Sequence, residues 1–208
     1  MCIRDSEATV AKTVENLKKR KFDVYVCKTG EEARNLALSL IPADDVVAWG
    51  GSKTVEQIGL IDAVKAKFAT VDRDSAKTVA EKREAMRKSL SADTFIAGIN
   101  AISSDGLLVN IDGTGNRVAA ICFGPENVIL VAGTNKITGA MQSAIARARN
   151  VAAPINAKRF DLPNPCTVSG KCADCISDTT ICSQFLETRY CKPAGRIKVI
   201  LIEEELGF

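Results

Sequence analysis

Short apolar runs alternate with stretches of helical periodicity along this chain. Residues 46–49, 95–98 and 128–132 are nearly continuous apolar runs of strand length, and a glycine ends or directly follows each of them. Strands of this kind are typical of a parallel sheet with both faces covered, because neither face meets water. The alternation of such strands with helical stretches predicts an α/β fold with a mainly parallel sheet.

Helix signals separate these strands. Ser6 is a candidate N-cap for a first helix with Val10, Val14 and Leu17 on its apolar face. Thr29 opens a capping box for a second helix. Further helices are predicted over about residues 53–58, 75–90 and 138–150, and further strands over about 22–26, 69–71 and 196–202.

Turn signals predict an antiparallel excursion beside the parallel sheet. Asp105-Gly106 is a hairpin turn between two apolar runs, and residues 112–115 form a second turn before the apolar run 118–121. The residue composition changes after Pro154. Residues 160–192 are predicted to form a Cys-rich loop that is also rich in Pro, Gly, Ser and Thr. Because strand periodicity resumes at residue 196, this excursion is expected to belong to one domain spanning residues 1–208.

Composition excludes several classes of protein. The net charge is +3 and no basic run with interleaved aromatics occurs, so no nucleic-acid partner is expected. No apolar stretch approaches the roughly 20 residues of a membrane span, and residues 1–6 do not resemble a signal peptide, so the expected location is the cytoplasm. The chain has no histidine, which leaves acid–base chemistry to Asp, Glu, Lys, Tyr or Cys.

The loop after the strand at 46–49 is a candidate anion site. Gly50, Gly51, Ser52 and Thr54 stand between a buried strand and a helix, where backbone N–H groups and hydroxyls can bind a phosphate or carboxylate. The spacing is neither that of a Walker loop nor that of a dinucleotide fingerprint. The alternative is a plain strand-to-helix turn. Glu56 follows on the first turn of the helix.

A second candidate segment is dense in Asn, Asp and Gly. Asn100, Asn116 and Arg117 are candidate ligand-binding residues, because a guanidinium beside a Gly-rich turn can bind a carboxylate or phosphate. A structural ion pair of Arg117 is the open alternative. If the domain is catalytic, Glu56 and Asp112 are the candidate acid–base residues. Burial would have to raise the pKa of their carboxyl groups towards neutrality.

Four cysteines are spaced C-x5-C-x2-C-x6-C: Cys166, Cys172, Cys175 and Cys182. All-sulfur ligation suits a 4Fe–4S cluster or a zinc ion, and a disulfide is the remaining alternative. Cys191 is a spare, a replacement ligand or a redox partner. Cys2, Cys27 and Cys122 are expected to be small core or surface residues.

Several motifs together resemble the LUD (lactate utilisation) domain family, in its stand-alone branch with a C-terminal four-cysteine motif. The residues that carry the resemblance are Trp49-Gly50-Gly51-Ser52, Thr54, Glu56, Gly59-Leu60, residues 98–101, 105–110, 112–120 and 123–125, Asn135-Lys136-Ile137, Pro165-Cys166, Cys172, Asp174-Cys175, Cys182 and residues 202–208.

The resemblance implies a Rossmann-like three-layer sandwich similar to the ribose-5-phosphate isomerase, glucosamine-6-phosphate deaminase and CoA-transferase group. It implies a redox component of L-lactate or organic-acid oxidation that binds a small anionic ligand at the Gly50 loop and an iron–sulfur cluster at the cysteines. Other lactate-utilisation subunits and a homodimer are the implied protein partners. The alternatives are an isomerase- or transferase-like enzyme, or a regulatory ligand-binding subunit, with structural zinc at the cysteines.

Overall fold

The computed structural model describes the backbone of residues 3–208 and the side chains from Glu7 onward. The helices within this part of the chain are α1 (Ile3–Lys19), α2 (Gly30–Ser39), α3 (Lys53–Gln57), α4 (Leu60–Lys67), α5 (Val79–Lys88), α6 (Asn116–Phe123), α7 (Met141–Arg147), α8 (Ala153–Arg159) and α9 (Pro165–Ser169). The strands are β1 (Asp23–Cys27), β2 (Val46–Trp49), β3 (Ala69–Val71), β4 (Thr94–Gly98), β5 (Ala101–Ser103), β6 (Leu108–Asp112), β7 (Asn127–Gly133), β8 (Ile137–Thr138), β9 (Gln184–Thr188) and β10 (Ile197–Ile202).

The described strands form a larger parallel sheet in the order β1-β10-β7-β4-β2-β3. Each neighbouring pair in this sheet is parallel. A smaller sheet has the order β8-β5-β6-β9, in which β6 is antiparallel to both β5 and β9. The predicted α/β fold, with its parallel sheet and antiparallel excursion, is therefore confirmed.

Alternate residues of the central strand β7 point into two different apolar cores. Val128 and Leu130 pack with α1, α6 and residues of the smaller sheet. Ile129 and Val131 pack with α2, α3 and α4 on the opposite face. Each of these four side chains is fully buried. A strand covered on both faces needs apolar residues at every position, which explains the continuous run in the sequence.

Three sequence-based assignments were wrong. Residues 118–121 belong to α6 and not to a second hairpin, because the Asp112 carboxylate accepts hydrogen bonds from the backbone N–H groups of Arg117 and Val118 and so caps a helix. Strand β9 was missed inside the Cys-rich segment. Ser6 lies within α1, which already begins at Ile3, and its side chain is outside the described residues together with Met1 and Cys2.

The Ala-rich helix is longer than predicted and not uniform. It begins at Met141, passes through a π-helical turn at Ala148–Ala152 and continues as α8 to Arg159. Pro154 directly follows the π-helical turn, where the regular i→i−4 bonding is already interrupted, so it does not end the helix. None of the described helices is long and apolar enough to cross a membrane.

Gly106 in the β5–β6 hairpin allows α1 to approach the smaller sheet. Its φ is +82°, and a Cβ there would lie 2.6 Å from the backbone carbonyl carbon of Asn16. Gly59 shares the left-handed conformation, with a φ of +66°, but a Cβ there would meet only the flexible end of Arg34 at 3.7 Å. The two glycines therefore separate the cost of backbone conformation from the cost of close packing.

We expect Gly59→Ala to lower the free energy of unfolding by about 1–2 kcal/mol, the usual cost of a left-handed residue with a Cβ. Gly106→Ala is expected to cost at least about twice as much, because α1 must also move away. Urea denaturation followed by circular dichroism measures both. Equal losses would contradict the close packing of α1 on the hairpin.

Candidate functional site: a cationic cavity beside a cysteine pocket

The loops after β2 and β4 meet at the point where the strand order of the main sheet reverses. From β2 the chain crosses to β3 on one side, whereas β4 and β7 follow on the other. In open α/β sheets such a switch point leaves a crevice at the carboxyl ends of the strands, where ligands bind. Gly98 lets the two loops touch, since a Cβ there would lie 2.3 Å from Ser52 Oγ.

A cavity of about 440 Å³ opens at this switch point. Six of the described residues lining it are cationic and one, Asp112, is a carboxylate. The cationic residues are Lys53, Arg73, Lys82, Arg117, Lys136 and Arg159. A low-dielectric cleft lined mainly by one sign of charge attracts ligands of the opposite sign.

Six of the residues singled out in the sequence line this cavity: Gly51, Ser52, Asn100, Asp112, Asn116 and Arg117. Gly50 and Glu56 line an adjoining recess, and Thr54 is fully buried beneath the cavity. Helix α3 has only five residues, and Ser52 Oγ caps the N–H of Val55. So short a helix has a weak dipole, and we attribute the electrostatic attraction of the cavity to its cationic side chains.

Arg117 is held by an internal network and is 8% exposed. Its Nε donates to Asp112 Oδ1 at 3.2 Å, and its Nη2 donates to the Ile111 carbonyl oxygen at 2.6 Å and to Asn100 Oδ1 at 3.0 Å. Its Nη1 donates to the Gly98 carbonyl oxygen at 3.4 Å. These bonds use most of the guanidinium's donors, so Arg117 mainly builds the cavity wall.

Gly50 and Gly51 have different roles. A Cβ at Gly50 would lie 2.9 Å from Cγ of Arg117, so Gly50 is needed for the loop to pack on the stem of that arginine. A Cβ at Gly51 would meet only the flexible tip of Arg73, at 3.2 Å. Gly51 is exposed at the cavity, which makes it the position where a side chain can be added without rebuilding the site.

The two carboxylates proposed for acid–base work stand in different settings. Glu56 is 45% exposed in its side chain and lies 3.4 Å from Lys53 Nζ and 3.5 Å from Arg159 Nη1. Asp112 is more buried and is paired with Arg117. Glu56 therefore lacks the burial that the acid–base hypothesis requires, and Asp112 is engaged in the structural network.

Lys136 lines the cavity, and sequence reasoning assigned it no role. It follows β7, is 4% exposed, and its Nζ donates to Thr54 Oγ1 at 2.8 Å. Burial, together with the positive charges of Arg147 and Arg117, lowers the pKa of Lys136 to about 7. A signal did exist, because this residue comes just after a central strand, at the same edge as the glycine loop.

The four predicted metal-ligating cysteines line one small pocket. Cys166, Cys172, Cys175 and Cys182 surround a cavity of about 60 Å³ whose wall also includes Arg149 and Phe185. Burial, and then the neighbouring cysteines, raise the pKa of the Cys182 thiol to about 11. Arg149 Nη2 donates to Cys172 Sγ at 3.5 Å and also pairs with Asp174. In this conformation no three Cys, Asp or Glu side chains of the described chain are placed to hold a metal ion.

The pocket is fastened by polar contacts. Asn164 is 2% exposed, its Nδ2 donates to the Thr179 carbonyl oxygen at 3.1 Å, and the Thr179 hydroxyl donates to Asn164 Oδ1 at 2.6 Å. These bonds join the two ends of the segment that carries Cys166, Cys172 and Cys175. Sequence reasoning did not find Asn164, because a buried asparagine in a Pro-rich loop looks like turn chemistry.

The other cysteines of the described chain lie outside this pocket. Cys191 is 1% exposed in the main core, and its Sγ accepts a hydrogen bond from the N–H of Ile197 at 3.3 Å. Cys27 is buried in the opposite core, and Cys122 is exposed. The cavity and the cysteine pocket adjoin each other, because Ile181 lines the first and Cys182 lines the second.

A parallel sheet with helices on both faces and a cationic cavity at its switch point defines a Rossmann-like three-layer α/β sandwich. The chain matches the LUD domain family over residues 10–202, and it belongs to that family. The family makes it a lactate-utilisation-type protein in the general sense. No curated protein sequence matches it.

One solved structure shares this architecture, and a second is similar to part of the chain. The crystal structure of a DUF162 family protein from Deinococcus radiodurans matches with a TM-score of 0.53 and 12% identity, over 95% of this chain and 98% of that one. The eIF2B beta structure from Chaetomium thermophilum matches with a TM-score of 0.36 and 22% identity, over 55% of this chain and 44% of that one. The first match supports the fold.

We expect Arg117→Met to lower the free energy of unfolding by about 3–5 kcal/mol, because it leaves the largely buried Asp112 carboxylate without its counter-ion. Arg159→Met is the matched control. It removes a cation from the same cavity, but its pair with Glu56 is largely exposed and is worth about 1 kcal/mol or less. Urea denaturation of both variants is the measurement. Similar losses would show that Arg117 does not hold the cavity wall.

Proposed function

We propose that this protein is a redox component of L-lactate or organic-acid oxidation, which binds a small anionic ligand in the cationic cavity and a 4Fe–4S cluster at the cysteine pocket. The observation that carries the proposal is the adjacency of the two sites. Four cysteines line one pocket, and the residue before Cys182 lines the ligand cavity. An electron donor and an electron acceptor bound at these positions would be separated by one stretch of polypeptide.

The donor set of the pocket fits the proposed cluster. Thiolates of Cys166, Cys172, Cys175 and Cys182 would hold it, and four cysteine sulfurs are the usual ligands of 4Fe–4S clusters. Such a cluster with four thiolates is an anion, and Arg149 supplies a positive charge in the pocket wall.

The cavity is suited to a carboxylate. Its cationic lining attracts an anion, and its hydroxyl and amide groups, including Ser52, Asn100 and Asn116, can bind the polar substituents of a hydroxy acid. Oxidation of a 2-hydroxy acid to a 2-oxo acid releases two electrons and two protons. A 4Fe–4S cluster accepts one electron at a time, so the complete reaction needs a further acceptor, which we assign to companion lactate-utilisation subunits.

We also propose a cytoplasmic location. Each cysteine of the described chain is a free thiol, a state that a reducing compartment maintains. Free thiols are also the form that takes up iron and sulfide.

Anaerobic reconstitution with iron and sulfide tests the cluster. We expect the protein to bind iron and to show the visible absorption of an iron–sulfur cluster, with an electron paramagnetic resonance signal after reduction. Cys175→Ser should lose most of the iron, because one of four thiolate ligands is missing. Cys122→Ser is the matched control, since its thiol is exposed and lies outside the pocket. It should bind iron normally.

Metal analysis of the same samples separates the alternatives. Zinc without iron would support the structural-zinc alternative in place of the redox proposal. Protein prepared without oxygen that contains neither metal, and in which all four pocket thiols react freely, would refute metal binding at this pocket.

Gly51→Val tests the ligand cavity. Because the added side chain meets only the tip of Arg73, we expect the variant to keep its thermal midpoint while its affinity for L-lactate and sulfate falls about tenfold or more. Gly139→Val is the control, since a Cβ there meets nothing within 4 Å and Gly139 does not line the cavity. Isothermal titration calorimetry is the measurement. Unchanged affinity in the Gly51 variant would show that the loop is a strand-to-helix turn that does not bind the ligand.

A further inference from the structure

Lys136 is a buried lysine that lies at the wall of the ligand cavity. Its Nζ bonds to Thr54 of α3, and the positive charges of Arg117 of α6 and Arg147 of α7 act on it. The Thr54 hydroxyl accepts the hydrogen bond from Nζ. The same hydroxyl donates to the Leu206 carbonyl oxygen at 3.4 Å. A Cβ built on Gly207 would lie 3.0 Å from Nζ, so the C-terminal segment covers the amine on another side.

The charges that act on Lys136 are both positive. They belong to Arg147 and Arg117, and among the described residues no carboxylate forms an ion pair with Nζ. The negative charge of Asp112 is shared with Arg117 through its bonds to the Arg117 side chain and backbone. A buried ammonium without a carboxylate is costly, so the charged form of Lys136 requires a counter-ion from outside the protein.

We propose that Lys136 is the residue that binds the anionic group of the ligand, and that above neutral pH its amine is uncharged in the empty cavity and takes up one proton when a carboxylate or phosphoryl group binds. The inference rests on the anionic ligand of the proposed function and adds to it a contact residue and a proton. Protonation would convert Nζ from a hydrogen-bonded amine into the counter-ion of the ligand. The proton comes from solvent, and no other bond forms or breaks.

Proton uptake makes binding depend on pH in a defined direction. The pKa of Lys136 is about 7 in the free protein, and a bound anion raises it. Below that value the ammonium is already present and affinity is constant. Above that pKa, binding requires the Lys136 amine to take up a proton from solvent. Because the proton concentration falls as the pH rises, the affinity falls with it. The dissociation constant should be about tenfold higher at pH 8 than at pH 6.

Carbon-13 lysine spectroscopy tests the free protein. In the spectrum of protein labelled at lysine, the side-chain signal that Lys136→Arg removes should titrate near neutral pH, well below the value of about 10 for a free lysine. Lys82→Arg is the matched control, because Lys82 lines the same cavity but is exposed. If Lys136→Arg does not fold, Lys136→Met provides the assignment. A Lys136 signal that titrates at the free-lysine value of about 10 would overturn the proposal.

Addition of ligand tests whether Lys136 takes up a proton when an anion binds. L-lactate and sulfate are ionised throughout this pH range, so any proton uptake belongs to the protein. We expect the Lys136 titration to move upward with L-lactate if the cavity prefers carboxylates, and with sulfate if it prefers phosphoryl groups. Calorimetry in two buffers should show proton uptake above pH 7, absent in Lys136→Arg.

A Lys136 signal that neither anion moves would overturn the inference. The redox proposal fails separately, through the absence of iron from the cysteine pocket, which does not affect the titration of Lys136. A protein without a cluster whose Lys136 still responds to an anion would therefore support this inference and refute the redox function.

Discussion

The carboxyl edge of the main sheet depends on the burial of one guanidinium. Arg117 binds the carbonyl oxygens at the ends of β4 and β6, Oδ1 of Asn100 and the carboxylate of Asp112, while Gly50 packs on its stem. Residue 50, residues 98–100 and residues 111–112 are thus fixed to a single side chain. A buried guanidinium needs both a counter-charge and full hydrogen bonding, and Asp112 and the strand ends supply them. The charges of Arg117 and Asp112 therefore hold the wall of the cavity together.

Much of the main sheet could be predicted from the sequence, because a strand with two buried faces must be apolar throughout. The error at 118–121 shows the limit of that reasoning. A four-residue apolar run fits a strand or a helix, and the choice is made by the Asp112 carboxylate, which caps α6 across a five-residue interval. Strand β9 was missed for the opposite reason. It is an edge strand with largely exposed residues, and its pairing with β6 leaves no regular apolar pattern.

The sequence predicted which segments of the chain form the site, but it predicted less well the direction in which their side chains point. Gly51, Ser52 and Asn100 were found because glycines and amides after buried strands indicate a crevice. Thr54 and Glu56 are two residues apart on α3, so one turns inward and the other toward solvent, and no pattern in so short a helix shows which. Lys136 was assigned no role because a lysine is ordinarily exposed, and its burial is a product of tertiary structure.

The four cysteines of the pocket lie on different kinds of structure. Cys166 lies on α9, and Cys182 lies two residues before β9, which pairs with β6 along its whole length. Cys172 and Cys175 lie between them on a loop that begins at Gly170, the left-handed residue that ends α9. The hydrogen bonds between Asn164 and Thr179 close the base of this loop. If the pocket holds the proposed cluster, we expect residues 170–178 to adjust around it, because Cys166 lies on α9 and Cys182 lies next to β9.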